Sequence, residues 1–196
     1  VTLPLGVLQA NAVTFDPPLP EWKQQAINGL GAGVVNKLIL KFKRPFWKDD
    51  LAWLYSTTSS QIWWRPGWGK SDEVPILTAL IEDNNRAHYY HYDKHTAIVT
   101  ALHELSLIFG EKVDSLLESG HFINWTLDPF SRMGYSYVPV GGVGLRQKLA
   151  DPVDRVFFAG EATNPIRPAT VHGALESGNR AADQILSWRR PSDDSS

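Results

Sequence analysis

One stretch near the C-terminus decides the fold. Residues 154–186 read D-R-V-F-F-A-G-E-A-T-N-P-I-R-P-A-T-V-H-G-A-L-E-S-G-N-R-A-A-D-Q-I-L. The apolar run Val156-Phe157-Phe158-Ala159 predicts a buried strand over 155–159 that passes into Gly160-Glu161 and a short loop. Helical spacing then predicts a helix over 171–188, with an inner face of Val171, Ala174, Leu175, Gly178, Ala182, Ile185 and Leu186. Periodicity alone also fits an ordinary capped helix packed on a sheet.

The start of the predicted helix has the chemistry of an anion site. A helix N-terminus presents amide N–H groups without intrahelical partners, together with partial positive charge. These groups belong here to Thr170 and Val171, and Gly173 and Gly178 are expected to let the helix backbone approach its neighbours closely. A group that gains negative charge on reduction is stabilised at such a point.

Composition bounds the possible functions. The chain has 196 residues, of which 43% are hydrophobic and 20% charged, as in an ordinary globular protein with a sizeable core. The net charge is -2 and no basic stripe stands out, so composition gives no support for nucleic-acid contact. No apolar run approaches the roughly 20 residues that span a bilayer. The absence of cysteine excludes disulfides, thiolate metal ligands and a cysteine nucleophile within this chain.

Periodicity and turn residues also predict the remaining elements. Strands are predicted over 1–8, 34–42, 52–57, 61–65, 74–82 and 121–126, and a flexible turn over 139–144. Helices are predicted over 20–30 and 94–109, the second capped by Asp93 and ended by Gly110.

Two apparent motifs are interpreted as structural. The run Gly29-Leu30-Gly31-Ala32-Gly33 follows a helix rather than a strand, so we interpret it as a C-cap and turn and not as a dinucleotide-binding motif. His88, His91 and His95 are close in sequence, but Asp93 is expected to cap a helix between them, and no metal site is predicted.

The string 154–186 strongly resembles the C-terminal signature of FAD-dependent amine oxidases, a family that includes polyamine oxidases, monoamine oxidases and lysine-specific histone demethylases. The opening Thr2-Leu3-Pro4-Leu5-Gly6-Val7-Leu8 resembles the central segment of the same family. Within the family, Thr170-Val171-His172-Gly173-Ala174 favours the polyamine oxidase and demethylase branch.

The resemblance implies an α/β architecture of mixed helices and sheet, in two domains. Residues 1–10 are expected to form a strand of a Rossmann-like FAD-binding domain, and 144–190 the C-terminal part of that domain. Residues 11–143 are expected to form mainly a substrate-binding domain with a mixed sheet flanked by helices, and 191–196 a tail.

The resemblance also implies roles for individual residues. A first set is expected to contact FAD: Gly160, Glu161, Thr170, Val171, Ala174, Trp125 and Phe130. A second set is expected to line the substrate pocket: Tyr135, Thr170 and Trp63, although a place in the sheet core is an equally good interpretation of Trp63. Trp125, Phe130 and Tyr135 come from the stretch 121–138, H-F-I-N-W-T-L-D-P-F-S-R-M-G-Y-S-Y-V, which resembles a motif of the family.

Lys37 and Tyr135 are the predicted catalytic residues. Alternation along V-V-N-K-L-I-L-K-F (34–42) puts Lys37 on one strand face with Val35, Ile39 and Lys41. A lysine in a strand is usually solvated. The resemblance instead implies that Lys37 holds a water against flavin N5, while Lys41 is expected to be exposed.

The implied activity is oxidation of an amine by hydride transfer to FAD, giving an imine and, with oxygen, hydrogen peroxide. An L-amino acid oxidase on the same scaffold and a non-catalytic, oxidase-like binding subunit are the alternatives. The sequence leaves the identity of the amine open. FAD cannot be attached here through cysteine, so non-covalent binding is expected.

The chain contains no G-x-G-x-x-G segment between a strand and a helix, which such an enzyme needs for the FAD pyrophosphate. A second chain that carries this N-terminal half is therefore the expected partner, in an obligate complex with a large apolar interface. A truncated product is the other explanation.

Overall fold

The computed structural model describes residues 1–58, 60, 62–82 and 92–188. These residues divide into two compact units. The sheet unit is Val34–Asp128, and the terminal unit joins Val1–Gly33 to the residues from Pro129 onward. Residues 11–33 and 129–143, expected in the substrate-binding domain, thus pack with the two ends of the chain. Which unit binds FAD and which binds substrate stays a prediction.

The sheet unit contains a five-stranded sheet with one long helix. The strands are β2 (Val35–Phe42), β3 (Trp53–Tyr55), β4 (Ile62–Trp64), β5 (Ile76–Glu82) and β6 (Leu117–Ile123), and α3 is Lys94–Phe109. The strand order is β3-β4-β5-β2-β6. Every described pair is antiparallel, where a mixed sheet was expected.

The alternation predicted for β2 is confirmed. Leu38, Leu40 and Phe42 are completely buried, whereas Lys37 on the other face is half-buried. The buried face packs in one core with the apolar positions of α3, namely Ala97, Ala101, Leu102 and Leu105. This core fixes the sheet and so determines which side chains β2 presents on its opposite face.

The predicted ends of α3 are also confirmed. The Asp93 carboxylate accepts a hydrogen bond of 2.7 Å from the Thr96 amide, and this bond lowers the pKa of the Asp93 carboxyl. Gly110 ends the helix in the left-handed conformation, with φ of 65°. Both caps are those that the residue types predict.

The terminal unit is mainly helical. Its helices are α1 (Leu5–Gln9), α2 (Glu21–Gly29), α4 (Leu145–Ala150) and α5 (Val171–Ser187), and its two short strands are β1 (Gly31–Ala32) and β7 (Ser136–Tyr137), which pair antiparallel. A second core joins these elements, with buried members that include Leu5, Ala26, Ile27, Leu149 and Phe158.

Two strands predicted for this unit were wrong. Residues 5–9 form α1 instead of a strand, since Pro4 precedes them and proline is well suited to a helix start. Residues 155–159 form no regular strand, because Arg155 lies in a turn and Val156 makes only an isolated bridge with Val153. Val1 pairs with this run, donating to the Phe157 carbonyl at 2.6 Å and accepting from the Ala159 amide at 2.9 Å. A ladder needs more such bonds than the described residues supply.

The predicted inner face of α5 was wrong as well. Its buried residues are Gly173, Ser177 and Ala181, spaced four apart. The predicted apolar stripe is instead largely exposed, with exposed fractions of 88% for Val171 and 68% for Leu175. Small residues let the helix approach its own unit closely, so the large apolar side chains point away from it.

Lys23 is the most deeply buried charged residue among those described. Its side chain is fully buried, and its ammonium donates to the carbonyls of Lys148, Leu149 and Asp151, at the C-terminal end of α4. It also lies over the Phe158 ring, 4.0 Å from the ring centre. Lys23 thus satisfies carbonyls that the end of a helix leaves without partners. Burial lowers the pKa of Lys23 from 10.5 to about 8.

Replacing Lys23 with methionine is expected to lower the free energy of unfolding by about 2 to 4 kcal/mol, because buried carbonyls lose their donor. Between pH 8 and 10.5 the unfolded chain binds a proton at Lys23 that the folded chain has lost, so wild-type stability gains with rising pH in this window. Urea unfolding at pH 7 and pH 10 measures both effects. An equal difference between wild type and variant at the two pH values would contradict the pH effect.

Candidate functional site

The site in the terminal unit is built around the first turn of α5. Thr170 caps this helix: its hydroxyl accepts from the Gly173 amide at 3.1 Å and donates to the Arg167 carbonyl at 2.7 Å. The Val171 side chain is 88% exposed, so the helix start faces away from the described core. The predicted capped helix N-terminus is therefore present and accessible.

Gly173 is required by the close passage of the loop before the helix. A Cβ atom at Gly173 would lie 1.8 Å from the Arg167 carbonyl oxygen, which is far inside contact distance. Asn164 secures the same loop, because its amide nitrogen donates to the Gly173 carbonyl at 3.0 Å and its oxygen accepts from the amides of Ile166 and Arg167. The expected close approach at Gly173 is thus observed.

Gly160 begins the turn that carries Glu161. Its φ is 128°, a backbone conformation that residues other than glycine rarely adopt. Its amide donates to the Ser177 hydroxyl of α5 at 2.8 Å, and its carbonyl accepts from the Thr163 hydroxyl at 2.9 Å. Gly160 thereby ties the end of the run 155–159 to the buried face of α5.

The Glu161 carboxylate accepts hydrogen bonds from two separate segments. Oε1 accepts from the Ser136 amide at 3.0 Å, and Oε2 accepts from the Ser136 hydroxyl at 2.7 Å and the Ala169 amide at 2.8 Å. Arg146 lies 3.9 Å from Oε2. A carboxylate has about four lone-pair positions, so these bonds leave about one for an outside hydroxyl donor.

Arg146 is buried behind Glu161 on α4. Its guanidinium donates to the Ser136 hydroxyl at 2.5 Å, to the Ser136 carbonyl at 3.1 Å and to the Ala162 carbonyl at 3.2 Å. Burial lowers the pKa of Arg146, and the nearby Glu161 carboxylate opposes that shift. Arg146 therefore supplies the positive charge that balances Glu161.

A cavity of about 280 Å³ lies beside this turn. Gly160, Glu161 and Ala174 line it, together with Met133 and several of the first eight residues. The walls of the cavity are mostly apolar, and Glu161 is the residue with a carboxylate among the described residues that line it. This combination fits part of a cofactor that has a flat ring and a hydroxylated chain, with the exposed start of α5 available for negative charge.

Tyr135 and Phe130 also belong to the terminal unit. The Tyr135 carbonyl accepts from the Gly33 amide at 2.9 Å, directly before the pairing of β7 with β1. Tyr135 is half-buried and Phe130 is 82% exposed. The backbone around Tyr135 is fixed by these bonds, and its neighbour Ser136 is fixed by Glu161.

Lys37 and Trp125 belong to the sheet unit. The Lys37 ammonium lies 5.7 Å from the centre of the Trp64 ring, on the sheet face opposite the core. Asn36 is buried, and its side-chain oxygen accepts from the Trp125 amide at 3.1 Å. Trp125 itself is 43% exposed.

The pocket prediction for Trp63 was wrong. Trp63 is fully buried in the core of the sheet unit and pairs with Leu54 and Ala79 in the ladder. Since side chains alternate along β4, the neighbouring Trp64 is the tryptophan on the face of Lys37. The sheet core, which was the other interpretation of Trp63, is where it lies.

The structure thus brings together part of the predicted set. Gly160, Glu161, Thr170, Val171 and Ala174 share one turn and helix start in the terminal unit. Sequence reasoning missed the residues that hold this arrangement: Ser136, Arg146, Asn164 and Ser177. No spacing signals them, since their partners are up to 25 residues away along the chain. His88 and His91, for which no metal role was predicted, lie outside the described residues.

No described helix combines the length and the apolar character that crossing a membrane requires.

Comparison with known proteins finds relatives named as histone demethylases and as polyamine oxidases. The chain is 34% identical to lysine-specific histone demethylase 1 homolog 3 of Arabidopsis thaliana, over 99% of this chain and 12% of the relative. It is 36% identical to polyamine oxidase 2 of Arabidopsis thaliana, over 93% of this chain and 37% of the relative. The chain therefore spans much less than two thirds of either protein.

Among solved structures, a double mutant of putrescine oxidase has a similar fold, with a TM-score of 0.80 at 20% identity. The match covers 96% of this chain and 42% of putrescine oxidase. The expected α/β architecture of mixed helices and sheet is confirmed. The family profile described as flavin containing amine oxidoreductase matches residues 1–186. The chain belongs to the flavin containing amine oxidoreductase family.

Proposed function

We propose that this chain is the C-terminal part of an FAD-dependent amine oxidase. The observation that carries the proposal is the Gly160-Glu161 turn beside the exposed start of α5, in a chain of this family. Bound FAD would accept a hydride from the carbon next to the amine nitrogen and pass the electrons to oxygen, so that imine and hydrogen peroxide form.

In this proposal the terminal unit holds the cofactor. The amides of Thr170 and Val171 stabilise negative charge, because they lie at the positive end of a 17-residue helix. Gly160 and Ala174 give the cofactor close access to the backbone, and Glu161 accepts from a hydroxyl with its remaining lone pair. Phe130 of the same unit contributes exposed aromatic surface to the flat ring. Trp125, which belongs to the sheet unit, stays a predicted contact of FAD. This chain has no cysteine and so cannot attach FAD through a cysteinyl thioether, and we propose that the binding is non-covalent.

The amine is proposed to bind in its neutral form, because an ammonium lacks the lone pair that drives hydride loss. Tyr135 and Thr170 line the pocket, and an aromatic, partly dry wall lowers the pKa of a bound amine. The Thr170 hydroxyl already donates its proton to Arg167, so Thr170 offers its methyl group and backbone rather than a hydroxyl donor. Lys37 holds and orients a water for the reaction of the reduced site with oxygen.

A partner is proposed to supply the dinucleotide-binding half with its G-x-G-x-x-G motif, as a second chain. The exposed stripe of α5, including Val171, Leu175 and Leu186, supports this because such a surface is normally covered. We call this chain, joined to the part that carries the motif, the assembled protein. Purification of the 196-residue chain alone as a stable soluble monomer would count against the obligate partner.

Oxygen consumption and peroxide release by the assembled protein test the function. The panel is spermine, spermidine, simple amines, amino acids and methyl-lysine peptides, and we expect turnover of a polyamine or a methyl-lysine peptide. Turnover of amino acids alone would identify an amino acid oxidase. Bound flavin that no compound reduces would identify a non-catalytic binding subunit and overturn the proposal.

A further inference from the structure

The Glu161 carboxylate accepts most of its hydrogen bonds from donors within the protein. Three donors, from Ser136 and Ala169, bond to its two oxygens within 3.0 Å. The two segments that it joins are 33 positions apart in sequence, since 169 minus 136 is 33. One precedes α5, and the other directly follows Tyr135. A carboxylate used in this way fixes backbone positions, in addition to any contact with a ligand.

The bond to Ala169 holds a conformation that the chain would otherwise avoid. Ala169 has φ of 58°, in the left-handed region that disfavours residues with a Cβ atom. Such a conformation persists only where the surroundings fix it. The next residue is Thr170, the N-cap, so the direction of the first amides of α5 depends on this turn.

The bonds to Ser136 are reinforced from behind. The Ser136 hydroxyl donates to Glu161 and accepts from Arg146, whose guanidinium is buried and also donates to the Ser136 and Ala162 carbonyls. Charge balance and shared hydrogen bonds make this cluster one unit rather than a set of independent contacts.

We propose that Glu161 is a positioning residue, which locks the turn at Ala169–Thr170 to the turn at Tyr135–Ser136 and so sets the cofactor-facing amides of α5 and the substrate-facing Tyr135 relative to each other. The inference rests on the proposed function for its chemical consequence. Its structural part, the lock itself, stands on the hydrogen bonds alone.

Glu161→Gln in the assembled protein tests the inference. Glutamine keeps the size of the side chain but turns one acceptor oxygen into an NH2 group that faces an N–H donor. We expect amide hydrogen exchange at Ala169 to speed up about tenfold. We also expect the equilibrium constant for flavin reduction to fall about tenfold while flavin stays bound, because the first amide N–H groups of α5 no longer point at the negative charge of the reduced cofactor.

Ser136→Ala is the second variant and closes a double-mutant cycle. Because Ser136 and Glu161 share one network, the double variant is expected to change flavin reduction by clearly less than the product of the two single effects. Should Glu161→Gln fail to fold, Ser136→Ala alone is expected to speed up exchange at Ala169. Glu21→Gln is the matched control, since it removes one exposed carboxylate that bonds to Gln25 in the same unit.

The outcomes separate the two levels of the claim. If amide hydrogen exchange at Ala169 is unchanged in Glu161→Gln, Glu161 does not lock the two turns together. The same conclusion follows if the effect of the double variant on flavin reduction equals the product of the two single effects. If Glu161→Gln loses part of its flavin, but the reduction potential of the flavin that remains bound equals the wild-type value, then the role of Glu161 is purely structural. That result overturns the proposal that Glu161 is a positioning residue. If wild-type protein binds no flavin, the proposed function fails, while the exchange measurement still decides whether Glu161 holds the turn.

Discussion

Replacing Lys37 with methionine in the assembled protein is expected to slow flavin turnover about 100-fold or more, the usual range for loss of a positioned polar group at a reacting centre. The ammonium lies on the sheet face opposite the core, 5.7 Å from the Trp64 ring centre. Methionine has a similar length without the charge. The ladder partners of Lys37, Leu80 and Ile123, are apolar, so the fold is expected to remain intact.

Lys41→Met is the matched control for Lys37. Lys41 lies on the same strand and face, and its ammonium pairs with the partly exposed Glu118 at 2.6 Å. Exposed pairs of this kind contribute little, so the control should turn over at nearly the wild-type rate. Rapid mixing resolves flavin reduction by amine and reoxidation by oxygen separately. Unchanged rates in both half-reactions would remove Lys37 from the mechanism.

The second large effect is expected at Gly173. Replacement with alanine puts a Cβ atom 1.8 Å from the Arg167 carbonyl oxygen and 2.9 Å from the Thr170 hydroxyl oxygen, so the loop or the helix start has to move. We expect the free energy of unfolding to fall by about 3 kcal/mol or more. Flavin affinity should fall as well, because the cap at Thr170 depends on the Gly173 amide.

Gly178→Ala controls for the general effect of adding a methyl group to α5. Among the described residues outside this stretch of the helix, no atom lies within 4 Å of the place that a Cβ atom at Gly178 would take. Alanine is therefore expected to stabilise the helix by about 0.5 to 1 kcal/mol. Urea unfolding of both variants measures the contrast. Equal effects at the two positions would show that the close approach of the loop at Gly173 is not required.

Local signals in the sequence predicted much of the fold. The α3 caps at Asp93 and Gly110 and the alternation of β2 follow from residue type and spacing, and the structure has them. The strand predicted over 1–8 was wrong, because a short helix begins after Pro4. A short apolar run is compatible with a helix as well as with a strand, so the sequence did not distinguish them. The α5 face failed for a different reason. The helix packs through Gly173, Ser177 and Ala181, whose small size permits contact but gives no hydrophobic signal.

The same limit applies to the site. That Gly160, Glu161 and Thr170 lie together could be predicted, because they share one continuous motif, whereas their roles stay predictions. The positions of Arg146 and Ser136 could not be predicted, since their relation to Glu161 arises only when α4 and β7 fold against the turn. Trp63 and Trp64 show how small the margin is: a shift of one residue along a strand moves a side chain from the open face to the core.

The absorption spectrum of the assembled protein under anaerobic titration with amine is the most direct test of the central claim. We expect a band at about 450 nm from bound oxidised flavin, which bleaches as a polyamine or methyl-lysine peptide is added and returns with oxygen. A folded assembly that stays colourless, or whose flavin band no amine in the panel diminishes, would contradict it.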